Sequence, residues 1–372
     1  MTKQTILWAD GGYTGLDAWL RETGAKRVLL VCGRSIVGLG INDYFDSLKD
    51  RLGVGVVRFS DYRPNPAYES VVAGVALLRR ERCDAIVAVA GGSGMDVAKC
   101  VKLYADMDPG ENYLKQKIVP NGLPLLAVPT TAGTGSEATR FAVIYYNGEK
   151  QSVTHESCIP GTVLFDPSAL VSLPLYQKKC AMLDALCHAV EAFWSVNSTP
   201  QSMEYSRQAI RLILENMEGY LSGDAAFNEA MLRAAYVAGQ AINITQTTAG
   251  HAMCYKLTGL YGVAHGHAAA LCVRRLWPWM LSHTDGCIDP RGQAHLKGVF
   301  DALAQAMGCE SAAGAAERFG EIFDGLDLSV PKLGDAEELE LLVNSVNPVR
   351  LKNNPVALDA DAIRRLYRQI LN

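Results

Sequence analysis

Between residues 28 and 128 the chain alternates short β-branched runs with segments of helical periodicity, and no other feature narrows its fold as much. Residues 28–31 read as a strand running into Cys32-Gly33-Arg34-Ser35, and residues 55–59 as another, closed by Arg63-Pro64-Asn65-Pro66. Residues 85–89 lead into Gly91, and residues 125–128 end before Pro129. Between them, residues 67–82 space Val71, Val72, Val75 and Leu78 as one face of a helix, and residues 96–104 read as a second helix. Strand and helix in alternation imply a parallel sheet wrapped by helices, with ligands at the carboxyl ends of its strands. After Leu173-Pro174 the pattern changes. Residues 177–195, 201–221, 225–245 and 359–371 are helical, with a turn at 196–200. The expected architecture is an α/β domain over residues 1–173 and an all-α domain over 174–372, with the cleft between them as the default site.

Composition excludes several other classes. The 372 residues are 49% hydrophobic and 20% charged, as in ordinary globular proteins, with no internal repeat or low-complexity tract. The formal net charge is -4 and no Lys/Arg block runs along any segment, which argues against nucleic-acid and membrane-surface partners. No stretch approaches the ~18 unbroken apolar residues of a membrane span. The first residues lack the apolar core of a signal peptide, and ten scattered cysteines form no C-x-x-C pair. Both features fit reduced thiols in a cytoplasmic protein.

Two loops at strand ends are rich in hydrogen-bond donors. Gly91-Gly92-Ser93-Gly94-Met95-Asp96 lies between a strand and a helix, where bare backbone N–H groups and the helix N-terminus suit a pyrophosphate. Its spacing is not G-x-G-x-x-G, and a tight strand-to-helix turn explains it equally well. Pro129-Thr130-Thr131-Ala132-Gly133-Thr134-Gly135-Ser136-Glu137 follows the next strand. An N-cap with a capping acid accounts for Ser136 and Glu137 but not for three threonines. Two such loops together favour a dinucleotide site.

In the helical half, Asp184 and His188 are four residues apart, so carboxylate and imidazole share a face, with Glu191 a turn further on. Such a pair is commonly a surface ion pair, but its neighbours here are Leu, Ala, Cys and Val. His251 and His265 would complete one carboxylate and three imidazoles, a set that suits a divalent transition metal. Only a fold that brings residues 184–188 beside 251–265 assembles it.

Taken together, these pieces resemble the group III, iron-dependent alcohol dehydrogenase family, related in fold to dehydroquinate synthase and glycerol dehydrogenase. The matching residues are Gly91-Gly92-Ser93 with Asp96 and Lys99, the loop 129–137, Asp184-Ala185-Leu186 with His188 and Glu191, and His251 with His265-Gly266. The resemblance implies an N-terminal α/β dinucleotide-binding domain and an all-α metal-binding domain. Asp184, His188, His251 and His265 are implied to be ligands of Fe²⁺, with Zn²⁺ the alternative ion. Gly91, Gly92 and Ser93 correspond to the pyrophosphate loop, and Asp96 to the group near the nicotinamide end. Thr130, Thr131, Thr134 and Ser136 correspond to ribose and phosphate contacts, and Lys150 to a cofactor-facing lysine.

The sequence departs from the family pattern in two places. Where many members have a histidine four residues after the third ligand, this chain has Tyr255, a weaker acid with a reference pKa of about 10. His267, two residues beyond a ligand, is the other candidate for the proton route. NAD-preferring members place an aspartate just after the strand at 28–31, and here Gly33-Arg34-Ser35 stands instead. Loss of that acid, with Arg34 or Ser35 free to hold a 2′-phosphate, implies NADPH over NADH. Stretches 174–179, 193–199, 251–256 and 350–355 look most like a phosphonate-associated branch, implying reduction of phosphonoacetaldehyde to 2-hydroxyethylphosphonate. Arg140, Lys256 and His267 are then the candidates for the anionic head, with Phe141 lining the pocket. Reduction of neutral aldehydes such as lactaldehyde, or oxidation of a diol, is the alternative; a dehydroquinate synthase-like cyclase and a non-catalytic binding protein complete the field. The family also implies a homodimer or larger homo-oligomer.

Overall fold

The computed structural model describes residues 4–371, which form two compact units meeting at Leu173 and Pro174. The first holds eight strands: β1 (Thr5–Trp8), β2 (Arg27–Cys32), β3 (Gly55–Phe59), β4 (Ala85–Ala90), β5 (Leu125–Pro129), β6 (Phe141–Tyr146), β7 (Glu149–Thr154) and β8 (Thr162–Phe165). Helices α1 (Thr14–Thr23), α2 (Gly40–Leu52), α3 (Tyr68–Arg80) and α4 (Gly92–Tyr104) connect them. Six strands make a wholly parallel sheet in the order β1-β8-β5-β4-β2-β3. Strands β4 and β5 are buried along their whole length, which is why they read as unbroken apolar runs. On one face Val28, Leu30, Val87, Val89, Leu126 and Val128 pack with Leu16, Trp19, Ile41, Phe45 and Leu48 of α1 and α2. Each such side chain contributes about 1.5–3 kcal/mol of burial.

Strands β6 and β7 form a separate antiparallel hairpin. Asn147 and Gly148 turn it, with φ of 52° and 77°, the left-handed pair that a two-residue turn of a twisted hairpin demands. Helix α4 begins earlier than its apolar pattern suggests. Gly91 is its N-cap, and Gly92, Ser93 and Gly94 lie in its first turn.

The second unit is helical: α5 (Leu175–Trp194), α6 (Pro200–Ser222), α7 (Asn228–Thr245), α8 (Ala249–Tyr261), α9 (His265–Ser282), α10 (Gln293–Ala306), α11 (Ala312–Gly325), α12 (Ala336–Ser345), α13 (Pro348–Leu351) and α14 (Ala360–Ile370). The turn at 196–200 launches α6 through a capping box, in which Thr199 accepts from Ser202 N–H and Pro200 takes the first helical position. Helix α5 is buried from Met182 to Trp194 and packs against α6, α7 and α9. None of the described helices is long and apolar enough to cross a membrane. The α/β-plus-helical fold class expected from the sequence is the one observed.

Candidate active site

The sheet sets the order of the donor loops. The chain passes from β2 to β3 on one side and then to β4 on the other, so a topological switch point falls between β2 and β4. Cys32 pairs with Val89, and Ala90 pairs with Pro129. Gly33, Gly91 and Thr130 therefore follow one another along the carboxyl edge. Thr130 N–H donates to the Ala90 carbonyl at 3.1 Å. The loops are also packed together: a Cβ on Gly91 would lie 3.2 Å from Thr131 Cγ2, and one on Gly92 would lie 2.8 Å from Thr134 Cγ2. The threonine side chains leave little room there for a side chain at either glycine. Arg34 and Ser35 are exposed, and Ser93, Thr130, Thr131 and Thr134 are partly exposed. Donors for an anion thus line this edge.

Asp96 and Ser136 are bonded to one another. The Ser136 hydroxyl donates to Asp96 Oδ1 at 2.8 Å, and Val143 N–H donates to Oδ2 at 3.0 Å. Both carboxylate oxygens are thus engaged by the protein, and burial pushes this carboxyl above its ordinary range although Lys99 opposes the shift. Glu137 is buried as well, which raises it to about 7. Lys150 is half-buried on β7, opposite Tyr145. Arg140 pairs with Glu156 at 3.3 Å and lies over the Phe141 ring.

In the helical unit three separate helices converge on one oxygen. Asp184 Oδ1 lies 3.9 Å from His188 Nε2, 3.5 Å from His251 Nε2 and 3.9 Å from His265 Nε2. Donor atoms of Asp184, His188 and His251 all fall within 4.8 Å of one another. Asp184 Oδ1 and His251 Nε2 are buried without a hydrogen-bond partner. Two buried polar atoms without a hydrogen bond, beside two further imidazoles, fit a cation held by one oxygen and three nitrogen donors. Burial alone would raise the Asp184 carboxyl, but His188, His251 and His265 hold it far below the usual range. The His265 side chain is 41% exposed, so the cluster opens on that side. Tyr255 stacks in parallel on His265, with ring centroids 5.7 Å apart.

The candidate ligands are held by residues behind them. Glu191, fully buried, accepts Thr248 N–H at 3.1 Å, the Thr248 hydroxyl at 2.7 Å and His251 N–H at 3.2 Å on Oε1, and His251 Nδ1 on Oε2. It therefore caps α8 from another helix and turns His251 Nε2 toward Asp184. Burial would lower His251, yet Glu191 and Asp184 outweigh it and push the ring up to about 10. Cys254 Sγ lies 3.7 Å from His265 Nδ1. A Cβ on Gly266 would lie 2.0 Å from the Cys180 carbonyl and 2.9 Å from Asp184 N, so α9 rests directly on the α5 backbone.

His267 does not join the cluster. Two residues along α9 is about 200° of rotation, which carries it away from His265. Its buried ring packs near Tyr176 and Phe323, with Nδ1 3.3 Å from the Tyr176 hydroxyl, which also accepts Ala264 N–H. Lys256 is half-buried on α8 beside Tyr255.

Residues 4–167 match the iron-containing alcohol dehydrogenase family, and residues 179–371 match the C-terminal region of the same Fe-containing family. The chain belongs to the iron-containing alcohol dehydrogenase family. It is therefore an oxidoreductase of alcohols and aldehydes, and the two matches span both units. Phosphonoacetaldehyde reductase of Streptomyces viridochromogenes is 35% identical over 80% of this chain and 79% of its own length. 1,3-Propanediol dehydrogenase of Klebsiella pneumoniae is 35% identical over 67% of this chain and 66% of its own. Sulfoacetaldehyde reductase of Bifidobacterium kashiwanohense, solved with NAD⁺, shares the fold with a TM-score of 0.88 at 24% identity, over 100% of this chain and 97% of that one.

The sequence motifs led to the ligand candidates but not to what supports them. Glu191 showed in the sequence as an acid seven residues past Asp184 and as part of the family resemblance, but its partners did not, since all four partner groups lie on the Thr248–His251 turn. Lys99 enters there only as part of the family resemblance beside Asp96, with nothing to show what its ammonium group bonds.

Proposed function

We propose that this chain reduces phosphonoacetaldehyde to 2-hydroxyethylphosphonate with NADPH. The 35% identity to a phosphonoacetaldehyde reductase across four fifths of the chain carries the substrate reading. Asp184, His188, His251 and His265 hold the ion, Fe²⁺ by family and by a donor set of one carboxylate and three imidazoles. When both are bound, the ion polarises the aldehyde carbonyl as a Lewis acid and the reduced nicotinamide supplies a hydride. The protein does the rest. Glu191 fixes the tautomer and angle of His251, and Tyr255, stacked on His265 and half-exposed, gives the product oxygen its proton and recovers one from solvent. The glycine and threonine loops hold the dinucleotide phosphates. Gly33, which brings no carboxylate against a 2′-phosphate, and the exposed Arg34 favour NADPH.

The comparably high identity to a 1,3-propanediol dehydrogenase favours a second reading, a reductase of neutral short-chain aldehydes. One experiment separates them: kcat/KM of anaerobically Fe²⁺-loaded enzyme with phosphonoacetaldehyde, propionaldehyde and lactaldehyde, each with NADPH and NADH. A phosphonate preference above ~100-fold, or ~2.7 kcal/mol of transition-state discrimination, is expected. Equal values would leave the neutral reading, and a tenfold preference for NADH would overturn the cofactor assignment.

A further inference from the structure

Lys99 lies in the middle of α4 with no exposed surface, an expensive place for an ammonium group. Burial lowers its pKa, against the pull of nearby Asp96. All of its hydrogen bonds go to one stretch of chain. Nζ donates to Ser136 Oγ at 2.9 Å, to Thr139 Oγ1 at 3.2 Å and to the Phe141 carbonyl at 2.8 Å. The Ser136 hydroxyl in turn donates to Asp96 Oδ1, one turn earlier on α4, and Asp96 Oδ2 accepts Val143 N–H. Two residues of one helix therefore grip the threonine loop, its exit and the start of β6.

That grip lies just below the point where Gly91 and Gly92 face Thr131 and Thr134. The glycine turn opens α4, and the threonine loop is fastened to α4 through Lys99. The lysine is thus one of the ties between the two rows of donors, beside the Ser136–Asp96 bond and Thr130 N–H on the Ala90 carbonyl.

We propose that Lys99 is a positioning residue of the dinucleotide site: it fixes the spacing between the glycine and threonine loops so that both rows of donors are preassembled for a pyrophosphate. This rests on the reading that these loops bind a dinucleotide. Lys99 itself, fully enclosed, touches no ligand. Preassembly lowers the ordering cost at binding and so acts on affinity for the whole dinucleotide. It acts little on a fragment held by the adenosine end alone, and little on the chemical step.

The test compares wild type with Lys99→Met, which keeps the length of the side chain and removes its donors. Binding of AMP and of NADPH or NADH (whichever wild type binds more tightly) is measured by calorimetry, alongside metal content and steady-state kinetics. The expected result is a dinucleotide Kd and KM raised at least tenfold, with AMP affinity, iron content and kcat at saturating cofactor within threefold. A parallel fall of AMP and dinucleotide binding would show a general loss of structure and overturn the proposal, as would unchanged dinucleotide affinity. Failure of wild type to bind any dinucleotide would instead sink the reading of the loops. Should Lys99→Met not fold, Thr139→Val removes one acceptor, and the same pattern is expected at about threefold; an unchanged dinucleotide KM would overturn the proposal.

Discussion

At the scale of single residues, the second carboxylate of α5 is as consequential as the first. Glu191 faces four donors and no acceptor: two backbone N–H groups, a hydroxyl and an imidazole N–H. Trp194 Nε1–H donates to Thr248 Oγ1 at 2.9 Å, which commits the threonine proton to Glu191. In Glu191→Gln one end of the side chain becomes an NH₂ group, and whichever end it is will face a donor. A buried donor left unpaired costs about 1–3 kcal/mol, and loss of a residue that orients a metal-bound histidine typically weakens metal affinity by about 10- to 100-fold. Chelator competition on Glu191→Gln is expected to show a loss in that range, and unchanged affinity would remove Glu191 from any orienting role. The sequence shows Asp184 and His188 because i, i+4 spacing is a property of sequence. It does not show which way a hydroxyl or carboxylate points. The Ser136 hydroxyl on Asp96 and the packing of His267 beside Tyr176 and Phe323 are seen only in the fold.

At the scale of elements, legibility follows the pattern of burial. Strands β2 to β5 and helices α3, α4, α5, α6, α7 and α14 are visible because apolar runs or amphipathic periods mark them. Strands β1, at the sheet edge, and β8, its neighbour, are four residues each, too short to show a period. Helix α8 is buried on every side from Ala249 to Cys254, so its first half presents no stripe, and α9 carries Pro278 inside. Yet α8 and α9 hold half of the candidate ligands. Their approach to α5 is fixed by Gly266, where a Cβ would strike the Cys180 carbonyl at 2.0 Å and Asp184 Cβ at 2.7 Å. Backbone cannot yield as a side-chain tip can, so Gly266→Ala must push α9 off α5 and draw His265 from Asp184. Destabilisation of about 1–3 kcal/mol is expected from denaturant melts, together with loss of bound iron. Gly259 in α8, with nothing within 4 Å of the Cβ position, is the matched control. Gly259→Ala should be neutral or stabilising by up to about 1 kcal/mol. Equal behaviour of the two variants would show that the close helix approach does not hold the site.

At the scale of the whole molecule, the proposed chemistry is divided between two units with different construction. The parallel sheet supplies backbone donors at strand ends, which need no ion to stand in place. The helical unit buries a carboxylate oxygen and an imidazole nitrogen with no hydrogen bond to either. That arrangement is costly without a cation and favourable with one, so ion binding should act as folding energy for the helices. Free metal at 100 times its Kd adds about 2.7 kcal/mol to the stability of whatever binds it. Trp194, Trp277 and Trp279 report on the helical unit, and Trp8 and Trp19 on the other. Urea unfolding of chelator-stripped protein, followed by fluorescence, is therefore expected to show an earlier transition that added Fe²⁺ restores. In Asp184→Ala the oxygen on which the three imidazoles converge is gone, so the midpoint should no longer depend on metal. A metal-dependent shift of the same size in that variant would mean that the ion is held elsewhere, and the assignment of Asp184, His188, His251 and His265 would fall with it.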